Sequence, residues 1–254
     1  MANSEIIGAG QDTARRAPKM QKKNTFYFCK PVYEFNLPAG HSCPFALACK
    51  VCVNRETGKF KNESSSFRCY AASAERFPGV RENRWENFES VISGVMPEIS
   101  AGIKMVRIHA SGDFYSQEYF DRWLLLAGEN PSVRFWAFTK SISFWINRIN
   151  EIPKNLELQA SFGGKLDYLI VEHGLKYCKV FPSFLEAEKS ELPIDTNDYY
   201  AANSLGSFAL VDNNNGGKKR IHALKSPTQN TMEICHTAPN SASMQNAQVE
   251  LDLL

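Results

Sequence analysis

The chain has 254 residues, enough for one large domain with its own hydrophobic core or for two small ones. Hydrophobic residues make up 43% of it and charged residues 22%, which excludes global disorder, and the net charge of +2 is too small to indicate a nucleic-acid partner by itself. No apolar run approaches the roughly 20 residues of a membrane span, and no secretory signal opens the chain, so we expect a cytoplasmic protein without a membrane contact.

Polar segments flank the predicted domain. Residues 1–24 lack apolar periodicity and are basic, which indicates a disordered arm, or one that contacts phosphates. Residues 237–254 are predicted to form a loose tail. Between them, residues 25–236 are predicted to form a single α/β domain, and the turn-forming residues of 54–67 indicate a loop insertion within it.

Strands and helices alternate along this domain. Buried strands are predicted over residues 105–110, 133–139, 156–161, 177–181 and 207–211. Helical patterns lie between them at 116–127, 142–149 and 166–174, with Ser116 as a plausible N-cap. This alternation is typical of βαβ units and a parallel sheet, either a partial barrel or an open doubly wound sheet. We expect the partial (βα) barrel, similar to a TIM barrel.

Polar residues follow several of the predicted strands. Because ligands bind at the carboxyl edge of a parallel sheet, these residues are candidates for a site. Asp113, Ser111, His109 and Asp212 are the candidate catalytic side chains, and Gly112, Thr139, Lys140 and Ser161 the candidate cofactor-binding residues. For Asp113 two interpretations stay open: it caps the following helix, or it binds ribose hydroxyls or acts as a base or nucleophile.

Four of the seven cysteines are grouped along the chain. Cys43, Cys49 and Cys52 fall within ten residues, and Cys69 follows the insertion. In a reducing compartment, such grouping favours metal binding over disulfides. Thiolates select zinc or iron–sulfur clusters, and the uneven spacing suits a 4Fe-4S cluster better than a zinc ribbon. Zinc, and small buried thiols without a metal, remain the alternatives.

The remaining candidate ligands are isolated. His41, beside the first cysteine, is either a ligand or a hydrogen-bonding residue. Cys178 lies in a predicted strand and is expected in the core, while Cys235 and His236 form a weak candidate pair and Cys29 stands alone. The basic residues 218–220 follow a glycine-rich loop and are either a solvated tip or a phosphate contact.

Three ordered motifs between residues 33 and 161 resemble the phage and plasmid gene-product-eighty-eight family. They are the cysteine block (residues 40–44 and 69–71, with Phe77 and Asn87), the block at residues 106–114 (with Ser116, Tyr119 and Trp123), and the block at residues 135–141. Membership of this family by itself indicates little about function. The resemblance implies a phage-encoded protein of the host cytoplasm.

The Cys69-Tyr70-Ala71 ending is also similar to the cluster loop of radical S-adenosylmethionine (radical SAM) enzymes. Those enzymes are partial (βα)6 barrels in which three cysteines bind a four-iron cluster and the open iron binds S-adenosylmethionine. Here the cysteine spacing differs, an insertion splits the block, and a fourth cysteine is present. The resemblance implies a 4Fe-4S cluster, with S-adenosylmethionine as a possible second cofactor.

Three functions follow from these patterns. The first is an iron–sulfur, radical-SAM-like protein that acts on a nucleotide or nucleic acid. The second is an enzyme similar to tRNA-guanine transglycosylases that inserts 7-deazaguanine bases into DNA, since residues 111–114 distantly resemble a strand end of that family and Asp212 would supply a second carboxylate. The third is a non-enzymatic nucleic-acid- or protein-binding module with a structural metal. The sequence predicts no oligomeric state.

Overall fold

A computed structural model describes residues 18–23, 28, 30–61 and 69–212. Within these residues the chain forms seven strands and seven helices. In chain order they are β1 (Gln21–Lys23), β2 (Val32–Phe35), α1 (Tyr70–Ala74), α2 (Pro78–Ile92), β3 (Met105–Ile108), α3 (Gln117–Glu129), β4 (Arg134–Thr139), α4 (Ile142–Ile146), β5 (Leu156–Ser161), α5 (Asp167–Glu172), β6 (Tyr177–Phe181), α6 (Phe184–Lys189), α7 (Tyr199–Asn203) and β7 (Phe208–Val211).

All seven strands belong to one sheet, and their order in the sheet is their order in the chain. β1 pairs antiparallel with β2, and every later pair is parallel. A doubly wound sheet reverses its strand order at a switch point, and this sheet does not. The α/β class and the parallel sheet are therefore confirmed, and the sheet is open, with β1 and β7 at its edges.

Helices α2 to α6 cover one face of the sheet, which we call the convex face. Its core joins alternate residues of the strands, such as Val106, Phe135 and Leu158, to the buried side of the helices. Ser116 begins α3 as predicted: its side chain accepts a hydrogen bond from the backbone N–H of Tyr119 (3.2 Å). Since right-handed crossovers always return to the same side, a sequential parallel sheet collects its helices on one face.

The opposite, concave face is covered mainly by α7 among the described helices, and Tyr70 of α1 accepts a hydrogen bond from Arg107 there (3.4 Å). Ala201 and Ala202 of this short helix pack on Trp136, Cys178 and Phe208 from three strands. Cys178 is buried there, which confirms the expectation that it belongs to the core. The two faces thus carry separate apolar clusters, and the concave one is smaller.

Several elements lie outside the predicted set: β1, β2, α1, α2, α6 and α7. The longest of them, α2, buries Arg81, Arg84, Asn87 and Val91, so its buried side is mostly polar. Hydrophobic periodicity cannot reveal a helix of this kind.

The predicted flanking segments fall mostly outside the described residues. Of the predicted arm 1–24, residues 18–23 are described and include β1, and the backbone N–H of Lys19 donates to Asn87 (2.8 Å). The predicted tail 237–254 lies wholly outside. The first part of the predicted insertion 54–67 forms a tight turn, in which Asn54 N–H donates to the carbonyl of Lys59 (2.8 Å), and residues 62–67 are not described.

Candidate functional site

Asp113 joins the carboxyl ends of β3 and β4. Its carboxylate accepts hydrogen bonds from the Thr139 hydroxyl (2.6 Å) and from the backbone N–H groups of Phe114 and Lys140 (2.8 Å each). Burial raises the pKa of Asp113 to about 6, although these hydrogen bonds act in the opposite direction. Ser116 caps α3, so Asp113 is not the helix cap: it links two neighbouring strand ends.

Lys140 extends this network to the end of β5. Its ammonium group donates to the carbonyl oxygens of Ser161 (3.0 Å) and Phe162 (2.6 Å) and to the Ser161 hydroxyl (2.7 Å). Four of the predicted site residues, Asp113, Thr139, Lys140 and Ser161, therefore lie in one connected network along three adjacent strand ends. The parallel sheet brings them together because carboxyl ends of parallel strands meet at one edge.

Ser111 and Gly112 serve the backbone of a neighbouring loop. The Ser111 hydroxyl donates to the Leu37 carbonyl (2.9 Å), and its own N–H donates to the Asn36 side chain (2.9 Å). Gly112 has a φ of +88°, and a Cβ there would lie 2.6 Å from the Ser42 hydroxyl. These residues hold the loop after β2 against the end of β3, and the hydroxyl and N–H of Ser111 are both used in doing so.

His109 and Asp212 are not brought to the Asp113 network. His109 is buried beside Tyr119, whose hydroxyl lies 2.8 Å from Nε2, and burial lowers the pKa of His109 to about 3. Asp212 follows β7, and three strands separate β7 from β3 in the sheet. The sheet keeps Asp212 away from the Asp113 carboxylate. His109 packs on Phe114, and its Nε2 is paired with Tyr119 and not with that carboxylate. Both residues remain candidates by sequence.

The loop that carries three of the cysteines sits on the end of β5. The backbone N–H groups of Leu47 and Ala48 donate to the Gly163 carbonyl (3.2 and 3.1 Å), and Lys165 N–H donates to the Phe45 carbonyl (2.9 Å). This loop therefore rests on the glycine turn after β5, next to Lys140 and Ser161.

Three thiols share one electrostatic environment. Burial raises the pKa of Cys43 well above its usual value, and the charges of Asp113, Cys69 and Cys49 raise it further. Burial also raises the pKa of Cys49, where Cys69 and Asp113 act in the same direction and Lys140 opposes them. The charge of Cys69 therefore acts on both Cys43 and Cys49, and that of Asp113 acts on the same two thiols.

Cys69 lies at the start of α1. Burial raises the pKa of this thiol, while hydrogen bonds from the backbone N–H groups of Ala72 and Ala71 lower it. Cys69 is far along the chain from the other cysteines, and its charge nevertheless acts on Cys43 and Cys49.

Cys52 lies at the margin of the group. Burial raises the pKa of this thiol, and the charges that act on it come from Lys50, Lys61 and Glu75 and from no other cysteine. Its sulfur lies 2.7 Å from the position of a Cβ on Gly40, whose φ of +72° requires glycine. The predicted set of four thiols thus divides into three neighbours and one that contacts the backbone at Gly40.

The four thiols are free, and in the described part of the chain no three His, Cys, Asp or Glu side chains converge on the position of one metal ion. His41 is hydrogen-bonded to the Val53 carbonyl (3.1 Å) and packs on Trp85, so its alternative role as a hydrogen-bonding residue is the one observed. Cys29, Cys235, His236 and residues 218–220 lie outside the described residues.

Sequence reasoning missed a buried ion pair that supports the cysteine loops. The Glu75 carboxylate accepts hydrogen bonds from Arg84 (2.8 Å) and from the backbone N–H of Ala39 (2.7 Å), and Arg84 also donates to the Ala71 carbonyl (2.8 Å). Both charged side chains are buried. No spacing rule connects these residues, since three separate segments meet only in the fold.

The fold and these side chains define a class of protein: an open, mainly parallel α/β sheet that carries grouped thiols and a buried carboxylate at its carboxyl edge. A family model described as Gene product 88 matches residues 6–229, and the chain belongs to this family, which confirms the family predicted from the three motifs. The Gene 88 protein of Mycobacterium phage L5 is similar, with 30% identity over 114 residues, or 41% of this chain and 46% of that protein.

The matched segment therefore spans about half the length of the phage relative. No solved structure matches the chain. In the described part of the chain, no helix is long and apolar enough to cross a bilayer.

Proposed function

We propose that Cys43, Cys49 and Cys69 hold a 4Fe-4S cluster and that the protein is a radical-SAM-like protein acting on a nucleotide or nucleic acid. The observation that supports this most is the electrostatic link between the three thiols: Cys69 raises the pKa of both Cys43 and Cys49, and Cys49 raises that of Cys43. They stand at the carboxyl edge of a parallel sheet, where α/β proteins bind ligands.

The donor set fits a cluster better than a single zinc ion. A cluster takes its cysteines at separate corners and accepts wider spacing than a single zinc ion does, which suits the uneven spacing of Cys43, Cys49 and Cys69. Metal ligands must be thiolates, and burial raises the pKa of all three thiols, so cluster uptake would release protons. The Lys140 ammonium, which lowers the pKa of Cys49, would offset part of the added negative charge.

The sheet supports the radical-SAM-like part of the proposal. Its strands are parallel and sequential from β2 to β7, with helices on the convex face, which is the arrangement expected of a partial barrel. The cysteine loop follows β2, the first parallel strand. With three protein ligands, one iron of the cluster would be left for S-adenosylmethionine, and the cluster would supply the electron for its reductive cleavage.

The strand ends beneath this loop would be held in position by Asp113, Thr139 and Lys140. The hydrogen bonds to Asp113 fix the carboxylate beside Cys43 and Cys49, and Lys140 fixes the end of β5, on which the cysteine loop rests. The substrate class is supported by the concave face, where the Phe138 ring, 5.2 Å from the Arg107 guanidinium, is partly exposed and offers an aromatic surface for a base.

Metal analysis of cysteine variants tests the proposal. Anaerobically purified wild-type protein should contain about four iron and about four sulfide per chain. Cys43→Ala, Cys49→Ala and Cys69→Ala should each lose most of this iron. Cys52→Ala and Cys178→Ala are matched controls that should retain it. One zinc per chain, or full iron in any of the first three variants, would contradict the proposal.

Activity assays separate the functional alternatives. Reduced, iron-loaded wild-type protein should cleave S-adenosylmethionine, and Cys52→Ala should cleave it too. A loaded protein that never cleaves it would have a structural cluster, as in the binding-module hypothesis. Exchange of labelled guanine into DNA that is lost in Asp113→Ala would instead favour the transglycosylase hypothesis.

A further inference from the structure

The concave face of the sheet contains polar atoms that are buried and without a hydrogen-bond partner. They are Arg107 Nε on β3, Trp136 Nε1 on β4, and both Nε2 and Oε1 of Gln159 on β5. Gln159 and Trp136 are 0% and 1% exposed. Native proteins pair almost all such atoms, so a group of them in one place indicates that a polar partner binds there.

The strand register brings these atoms to neighbouring positions. Arg107 is the register partner of Trp136, and Phe138, two residues further along β4, is the partner of Gln159. Leu158 and Ala160, on either side of Gln159, belong to the convex core. Because side chains alternate along a strand, Gln159 lies on the concave face with Phe138.

The surroundings of Gln159 limit what the partner could be. The Arg107 guanidinium is already paired with Asp198 (2.8 Å), so its charge is largely neutralised and only Nε is unpaired. The four unpaired atoms comprise three N–H donor sites and one carbonyl acceptor. The Phe138 ring, which is partly exposed, provides a flat apolar surface beside them.

We propose that this face binds a nucleobase, with the Gln159 carboxamide paired to the base edge. A glutamine amide offers a donor and an acceptor side by side, which matches the adjacent acceptor and donor of a base such as adenine. Arg107 Nε and Trp136 Nε1 would donate to further ring or carbonyl acceptors, and Phe138 would contact the face of the base. The inference deepens the proposed function, since it names the part of the substrate that the protein recognises.

The neighbouring elements define the extent of the site. α7 closes the end near the start of β4, where Arg134 donates to the Ala202 carbonyl (3.2 Å). At the other end, Lys140 and Ser161 are partly exposed and adjoin the cysteine loop. A nucleoside bound by its base at Gln159 would therefore extend its sugar towards the rim, where the grouped thiols lie.

Equilibrium titration of the full chain with adenosine, guanosine, cytidine and thymidine tests this site, with ribose as the probe that lacks a base. At least one nucleoside should bind and ribose should not. Gln159→Leu should raise the dissociation constant of the bound nucleoside about tenfold or more, because it removes the amide that pairs with the base edge. Gln117→Leu, the same change on α3 at the convex face, should bind like the wild type.

Two results would overturn the inference: no nucleoside binding at millimolar concentration, or equal binding by Gln159→Leu and the wild type. Thermal unfolding confirms that each variant is folded before titration. Iron is measured in the same samples. Iron without nucleoside binding refutes the base site alone, whereas Gln159-dependent binding without iron refutes the cluster alone.

Discussion

At the scale of single residues, His109 is an unusual position. It is a non-glycine residue with a φ of +61°, and it is enclosed by the rings of Phe114, Tyr119 and Trp123. Its environment favours the neutral imidazole, because burial makes the charged form unfavourable. A histidine with a pKa of about 3 is a poor acid or base near neutral pH, so its contribution is to the fold.

We predict that His109 makes the protein sensitive to mild acid. In the unfolded chain the imidazole takes up a proton below about pH 6.5, whereas in the folded chain its pKa is about 3. The contribution of His109 to the free energy of unfolding is therefore fully present above pH 6.5. It is lost as the pH falls towards 3, by up to roughly 1.4 kcal/mol per pH unit.

His109→Asn should reduce this acid-dependent loss, since asparagine tolerates a positive φ and does not titrate. Urea unfolding at several pH values between 4 and 7.5 measures how the free energy of unfolding depends on pH. His173→Asn, which changes an exposed histidine after α5, should keep the wild-type pH dependence. A His109→Asn curve parallel to that of the wild type would show that His109 does not carry the effect.

The rim residues show which parts of the site a sequence can predict. Asp113, Thr139, Lys140 and Ser161 all follow strands, and the parallel sheet alone brings them to one edge. The hydrogen bond from the Ser111 hydroxyl to the Leu37 carbonyl could not be predicted, because it joins residues that are 74 positions apart in the chain. Strand position predicts where a residue lies, but the hydrogen bonds of a loop decide whether its polar atoms are available.

At the scale of elements, α1 and α2 attach Cys69 to the loop that holds Cys43. Glu75, at the end of α1, contacts the Ala39 backbone of that loop and the Arg84 side chain of α2. Glu75 is completely buried, and the side chain of Arg84 is 9% exposed. One buried ion pair therefore joins three segments around the thiols.

We predict that Arg84→Met lowers the free energy of unfolding by about 3–5 kcal/mol, because it leaves the Glu75 carboxylate buried without its partner charge. Denaturant unfolding measures the change. Arg122→Met, which breaks the exposed Glu118–Arg122 pair on α3, is the control and should cost less than about 1 kcal/mol. Equal losses in the two variants would show that burial of the Glu75–Arg84 pair has no special role.

Two kinds of element differ in how well the sequence predicts them. α3 has the regular apolar spacing of Tyr119, Phe120, Trp123 and Ala127, and its position was predicted to within two residues at its carboxyl end. α2 buries arginines and an asparagine instead of an apolar stripe, so its pattern resembles that of an exposed segment. Polar contacts that stabilise an element are visible only once their partners are known.

At the scale of the whole molecule, the two faces of the sheet differ in composition. The convex face is apolar and packs against helices α2 to α6. Strand and helix periodicity predicts α3, α4 and α5 among these helices, but not α2 or α6. On the concave face, the apolar cluster is interrupted by the polar side chains of Glu34, Arg107 and Gln159. Such residues in strands reduce stability unless they are paired, which is the pattern expected where a protein retains a binding surface.

We predict that Gln159→Leu raises the free energy of unfolding of the ligand-free protein by about 1–3 kcal/mol, because it removes a buried amide that has no hydrogen-bond partner. Leu158→Ala, one residue away on the convex face, should instead lower it by about 2–5 kcal/mol through lost packing. Denaturant unfolding without added nucleoside measures both. If Gln159→Leu were less stable than the wild type, the amide would already be satisfied in the folded chain, for example by buried water, and its role on this face would be structural. A stabilised Gln159→Leu that has also lost nucleoside binding would show that the concave face gives up stability for recognition.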